Sequence, residues 1–276
     1  MGCTMGKMCI RGSQIDRHFQ IDLSGSKDCE HFILKAIDMV SMLGEDLCRK
    51  LPDSTRTEKG AKTGRELGLY DEALENSDSD SRLARAQAMS IWQNFHESAD
   101  RETFAMISEE CEYSDLTDEY LTIDSQGFEG RHIETSFTCF SEITVESSEG
   151  DKYSGHWWEA SQKESELDIE GCSRKALDKA VAQIGPKKRR SGKYRMVLSN
   201  QVASRMVAPI ISALNASSIQ QKVSFMEDTV GKKVFSEGFT LMDLPRTPGK
   251  SGSRLFDSEG VATKDAVIIG NGVVNR

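Results

Sequence analysis

The chain has 276 residues with 44 acidic and 35 basic side chains, for a formal net charge of −9. That length fits one large or two modest domains. The acidic balance speaks against a general nucleic-acid binder, which needs clustered Lys and Arg for the phosphate backbone, and no apolar run approaches the roughly 18–20 residues of a membrane-spanning helix.

Residues 1–14 contain no long apolar core and no small-residue cleavage site, so no secretory signal is expected. Gly2-Cys3 invites a lipidation reading, but position 6 is Gly where the myristoylation pattern asks for Ser or Thr. Residues 4–23 read as extended and then turn-rich. Asp28 caps a predicted helix to about Lys50, with Phe32, Ala36, Met39, Val40, Leu43 and Leu47 on one face. Leu51-Pro52-Asp53 stops it, and polar residues 53–66 form a loop. A second helix is expected from Asp80 to Glu97, with Leu83, Ala86, Ser90, Ile91, Asn94 and Phe95 on its face.

From about 103 to 168 the period changes to two. Thr135 to Val145, the turn Ser147-Ser148-Glu149-Gly150 and Lys152 to Trp158 read as an antiparallel hairpin. On that strand Trp157 and Trp158 face opposite sides, one toward the core and one outward. A third helix spans about 170–184 and ends at Gly185-Pro186. Lys187-Lys188-Arg189-Arg190 is a basic loop, and Tyr194 to Leu198 reads as a short apolar strand. Ser199 or Asn200 caps a helix carrying Val202, Met206, Val207, Ile210, Ile211 and Leu214 on one face. Short strands and Gly-rich turns fill 222–276, with Gly270-Asn271-Gly272 as a hairpin turn. The expected fold is α+β, with helices packed on antiparallel sheets and the chain β-rich towards its C-terminus. The expected organisation is a helix-rich lobe over 1–102 and a mixed to β-rich region over 103–276.

The chemistry-bearing residues form no familiar motif. His18, His31, His96, His132 and His156 are never three or four positions apart, and no H-E-x-x-H occurs. No G-x-S-x-G and no phosphate loop is present. The carboxylates between Glu97 and Asp124 lack calcium-loop spacing and read as a solvated acidic face. Cys3, Cys9, Cys29, Cys48, Cys111, Cys139 and Cys172 include no C-x-x-C, which suits a reduced cytoplasm.

Several stretches, in order, resemble the TldD/PmbA family. Phe32 to Asp53, ending Arg49-Lys50-Leu51-Pro52-Asp53, is similar to its helix followed by R-x-L-P-D. Leu69-Tyr70-Asp71 and Ser125-Gln126-Gly127-Phe128 follow, then Ala176, Ala180, Ile184-Gly185 and Ser191-Gly192-Lys193-Tyr194 with Met196-Val197-Leu198. Val223-Ser224-Phe225, Val230-Gly231-Lys232-Lys233-Val234, Leu241-Met242-Asp243-Leu244-Pro245, Phe256-Asp257-Ser258-Glu259-Gly260 and Gly272-Val273-Val274 complete the series.

The resemblance implies one half of a cytoplasmic heterodimeric zinc metalloprotease that cuts peptides. In the TldD half, H-E-x-x-x-H lies on the helix after the S-G-x-Y strand. Here that helix, Ser199 to Ile219, contains no His, Glu, Asp or Cys. A helix grips zinc only if two donors one turn apart point at the same ion, and Met206, Val207, Ile210 and Ile211 supply no such ligands. The resemblance is therefore to the TldE/PmbA half, also called a modulator of DNA gyrase. It implies no catalytic, cofactor or metal residue in this chain, zinc in a TldD-like partner, peptide substrates, no membrane and no direct nucleic-acid binding. Two alternatives stay open: a stand-alone hydrolase using His132 or His156 with Cys139, and a regulatory binding protein linked to toxin–antitoxin or DNA-gyrase systems.

Overall fold

In a computed structural model, the described residues are 7–10, 19–22, 34–35, 37–39, 42, 51–60, 63–97 and 103–275. They fall into two compact units. The first is drawn from Met1–Ala61, Leu121–Gly130 and Phe256–Ala262. In it, β1 (Lys7–Ile10) pairs antiparallel with β2 (Phe19–Asp22). Of the helix expected over 28–50, Leu34, Lys35 and Ile37–Met39 are helical and Met42 lies in a turn, and the other residues lie outside the described ones. Asp124 builds the turn that follows: its Oδ1 accepts from the N–H of Gln126 at 2.8 Å and of Phe128 at 2.9 Å. Phe128 meets Phe256 edge-on, with ring centroids 5.4 Å apart.

The second unit holds a three-stranded sheet in the order β3-β4-β5, formed by β3 (Phe104–Ile123), β4 (Glu129–Ser147) and β5 (Lys152–Ser161). β4 and β5 pair antiparallel from Phe137↔Ser161 to Glu146↔Lys152. The odd-numbered residues of β4 from Ile133 to Val145 face inward, and the even-numbered ones from Glu134 to Glu146 are half-buried, as alternation on a pleated strand requires. Beyond the end of β5, backbone N–H groups of Ile133 and Thr135 donate to Thr63 and Leu69. Residues 63–69 thus occupy the edge that β5 leaves.

The helix expected over 80–97 is two helices, α1 (Ser79–Met89) and α2 (Trp92–Glu97). Asp78 caps α1, in a reciprocal box with Ser81. The break at Ser90-Ile91 has a tertiary cause. The Glu109 carboxylate reaches over from β3 and accepts from the N–H of Ile91 at 2.9 Å and of Trp92 at 3.2 Å, satisfying donors at a new helix start. Leu83, placed on the inner face by periodicity, is 57% exposed, and Met89 is buried in its stead.

Helix α3 (Ile169–Val181) covers the sheet. Asp168 caps it, accepting from the N–H of Gly171 at 3.0 Å. Its buried face, Ala176, Leu177 and Ala180, packs with Met106, Ile143, Val145 and Phe95. The approach is close because β5 carries Gly155 beneath it: a Cβ there would lie 2.5 Å from the Ala176 carbonyl oxygen, 2.8 Å from the Lys179 carbonyl carbon, and against the Ala180 nitrogen. The chain leaves α3 through Gly185 at φ 71°, the left-handed conformation that ends helices.

Tyr194–Leu198 is not a strand. It is an exposed run without regular secondary structure, with Val197 88% exposed. Apolar character alone does not make a strand, because the ladder needs a partner edge, and none pairs with it among the described residues. Helix α4 (Asn200–Leu214) follows, then α5 (Ala216–Gln220). Ala213 packs with Met226, Ile269 and Val274 against a small antiparallel sheet of β6 (Leu241–Asp243), β7 (Ala266–Gly270) and β8 (Val273–Val274). Asn271 at φ 49° and Gly272 at φ 82° form the two-residue hairpin turn. The architecture is α+β, helices on antiparallel sheets.

Gly155→Ala is expected to destabilise the fold by about 1–3 kcal/mol, the usual range for overpacking a closely fitted core. The denaturant midpoint of the variant measures it.

Candidate functional site

The end of β5 and the first turn of α4 border an open groove of about 460 Å³ lined by Trp157, Trp158, Glu159, Ala160, Asn200, Gln201 and Ser204. The period-two reading of the tryptophans holds. Trp157 packs into the inner clusters and Trp158 is 53% exposed. Between them and α3 runs a charged network. Lys175 Nζ donates to Glu159 Oε1 at 2.6 Å and bridges to Asp168 Oδ2 at 2.8 Å. Glu159 also accepts from Trp157 Nε1 at 2.9 Å and from the Asp168 N–H at 3.1 Å. Desolvation works to raise the Glu159 pKa, but these donors outweigh it and hold the carboxyl below its ordinary value. Hydrogen bonds to Asp168 and Glu159 push the Lys175 ammonium pKa up. Lys179 lies 4.5 Å from the Trp157 ring centre and donates to Gln201 Oε1 at 2.9 Å, so α3 holds the start of α4 in place. These long-range pairs carried no local sequence signal; only the aromatic doublet did.

Helix α4 is the segment on which the resemblance places a metal motif. Its fifteen residues offer amide, hydroxyl, guanidinium and apolar side chains and no His, Cys, Asp or Glu. That donor set does not fit a zinc ion, which takes imidazole, thiolate or carboxylate ligands. Val202, Met206 and Ile211 are exposed, and Pro209 stands within the helix. No group of three or more His, Cys, Asp or Glu that could hold a metal gathers among the described residues.

The alternative nucleophile set does not assemble. Cys139 points inward from β4 and is fully buried. His132, seven positions away and thus on the opposite face, stacks on Tyr120 at 4.9 Å. His156 is exposed, paired opposite Glu142 on the outer face. Cys139 instead shares a buried cluster with Cys172, whose Sγ donates to the Trp157 carbonyl at 3.7 Å; the interaction of the two thiols lowers the pKa of Cys139 and raises that of Cys172. Cys111 is half-buried, with its Sγ 3.4 Å from Ser173 Oγ, and burial raises its pKa. His18 and His31 lie outside the described residues, as do Cys3, Cys29 and Cys48, while the backbone of Cys9 lies in β1 opposite Gln20.

The acidic run on β3 is only partly a solvated face. Asp115, its side chain 1% exposed, accepts from Arg82 at 2.6 Å and Ser77 at 2.7 Å. Desolvation opposes ionisation there, yet these donors keep its pKa low. Glu109 caps α2 as described, and Glu119 pairs with Arg131. The basic loop Lys187–Arg190 is exposed throughout.

Comparison with known proteins places these features. Residues 71–184 match the PmbA/TldA metallopeptidase central domain and residues 191–276 its C-terminal domain. A Haemophilus influenzae protein named metalloprotease PmbA homolog is 30% identical over 105 residues, 38% of this chain and 22% of its own length. A metalloprotease of Methanothermobacter thermautotrophicus is 27% identical over 177 residues, 61% of this chain and 38% of its own. Among solved structures, a Bacteroides thetaiotaomicron protein described as a modulator of DNA gyrase superposes with a TM-score of 0.83 and 32% identity. The match covers 97% of this chain and 59% of that one. TldE of Thermococcus kodakarensis shares the fold, with a TM-score of 0.72 at 18% identity over 97% of this chain and 58% of its own. The chain therefore spans less than two-thirds of the length of these relatives.

The lowered Glu159 pKa has a pH signature. A carboxyl depressed in the folded state stabilises above its unfolded pKa of about 4.3, and that gain is lost as pH falls through the folded value. Glu159→Gln is expected to cost about 1 kcal/mol at neutral pH, allowing for screening of the partly exposed Lys175. The difference should vanish in acid, below the carboxylate range; urea midpoints across pH measure it.

Proposed function

The chain belongs to the TldD/PmbA family of metallopeptidases, and from that premise we propose that it is a non-catalytic, TldE/PmbA-like subunit of a cytoplasmic heterodimeric zinc metalloprotease that processes or degrades peptides. The observation that carries this reading is helix α4. At the place where the catalytic half bears H-E-x-x-x-H, it has no side chain able to ligate zinc and no carboxylate to serve as general base. Zinc would then come from a TldD-like partner, and this chain would complete the cavity around the bound peptide. The exposed apolar residues of α4, Val202, Met206 and Ile211, suit a surface covered by another polypeptide. The likeness to TldE supports the choice of half only through the fold. The reduced thiols Cys111, Cys139 and Cys172 suit the cytoplasm, and no helix among the described residues is long and apolar enough to cross a membrane.

The test is reconstitution. The chain alone should leave an unstructured peptide intact. The chain mixed with a TldD-type subunit should co-elute with it and cleave the peptide in a chelator-sensitive way. Cleavage by the chain alone, or absence of any association with the zinc-bearing subunit, would overturn the proposal.

A further inference from the structure

The charge of this protein is sharply segregated. From Lys179 to Met226 there are nine Lys or Arg and no Asp or Glu, while the remaining residues hold 26 basic against 44 acidic side chains. The densest part is Lys187, Lys188, Arg189, Arg190, Lys193 and Arg195. All six are exposed, and none makes an ion pair with any described residue. Elsewhere cations do find carboxylates: Arg82 with Asp115, Arg85 with Glu164, Arg131 with Glu119, Lys175 with Glu159. In a chain with an excess of acid, six neighbouring cations without an ion-pair partner among the described residues are positive charge available to something outside the described fold.

Interleaved with them are apolar side chains just as exposed: Tyr194 at 63%, Met196 at 72% and Val197 at 88%. The backbone there has no regular secondary structure, and no strand pairs with it among the described residues. We infer that the ribbon Lys187–Leu198 is a docking surface for acidic, extended peptide, rich in Glu or Asp with apolar residues between. Three features select this occupant over other anions. Phosphates offer nothing to Met196 and Val197, whereas a peptide carries both charge and apolar groups. A long polyanion such as duplex DNA, or a flat anionic membrane, would also face the strongly acidic remainder of the chain and be repelled. A short peptide fits within the reach of the ribbon, since charges act over about 10 Å at 0.1 M salt. The inference rests on the peptide-processing reading and narrows it to a substrate class.

The test is a binding measurement on the full chain, with neither zinc nor partner. The probe is a fluorescently labelled short peptide alternating glutamate with leucine and valine, followed by anisotropy. We expect saturable binding that weakens at 1 M salt, where the screening length falls to about 3 Å. Replacing all six cations by Gln should weaken binding by at least about tenfold, the sum of several exposed pairs. The variant that keeps the charge, R189K/R190K/R195K, should bind as the parent does. M196S/V197S should weaken binding while leaving its salt dependence in place. The idea is overturned if the Gln variant binds as well as the parent, if the parent does not bind, or if duplex DNA or phosphatidylserine vesicles bind as tightly as the peptide. Because no cleavage is read, failure to find a zinc-bearing partner leaves this result intact, and failure here leaves the subunit assignment intact.

Discussion

The contact on which the larger unit depends is the near touch between helix α3 and strand β5 at Gly155. A hydrogen in place of a Cβ lets the backbone around Ala176 and Ala180 settle onto the sheet. The small faces of those alanines make the same demand from the other side. Once α3 lies so close, its flank is fixed: Lys175 and Lys179 sit over Trp157, and Lys175 reaches Glu159 and Asp168. Lys179 then takes hold of Gln201 on α4. A single missing methyl group thus leads by direct contacts to the groove beside Trp158.

Charge is used in two ways. On β3 and the helices beside it, carboxylates are consumed structurally, as caps and as partners of arginines, and Asp115 and Glu109 belong to the architecture rather than to a solvated face. Between α3 and α4 the opposite holds, with cations exposed and unpaired among the described residues. The net charge of −9 averages over these two regimes and hides both.

Much of the fold was legible because its signals are local. The turn at Ser147–Gly150, the helix stop at Gly185-Pro186 and the Asn271-Gly272 hairpin depend on residues a few positions apart, and periodicity separated the two faces of Trp157 and Trp158. What failed depended on distant partners. The break at Ser90-Ile91 comes from a carboxylate on another strand, and Tyr194–Leu198 looks like a strand but has no edge to join. The groove was illegible for the same reason: Lys179 and Gln201 are 22 residues apart and chemically unremarkable. The absence of metal donors from the helix after Leu198, by contrast, could be read directly from residue types.

The central claim is that this family member is the half that does not hold the catalytic ion. Elemental analysis of the purified chain, after equilibration with zinc and gel filtration, tests it most directly. Far less than one zinc per chain agrees with a helix of apolar and amide side chains. One tightly held zinc per chain, lost on substitution within Asn200–Leu214, would contradict it.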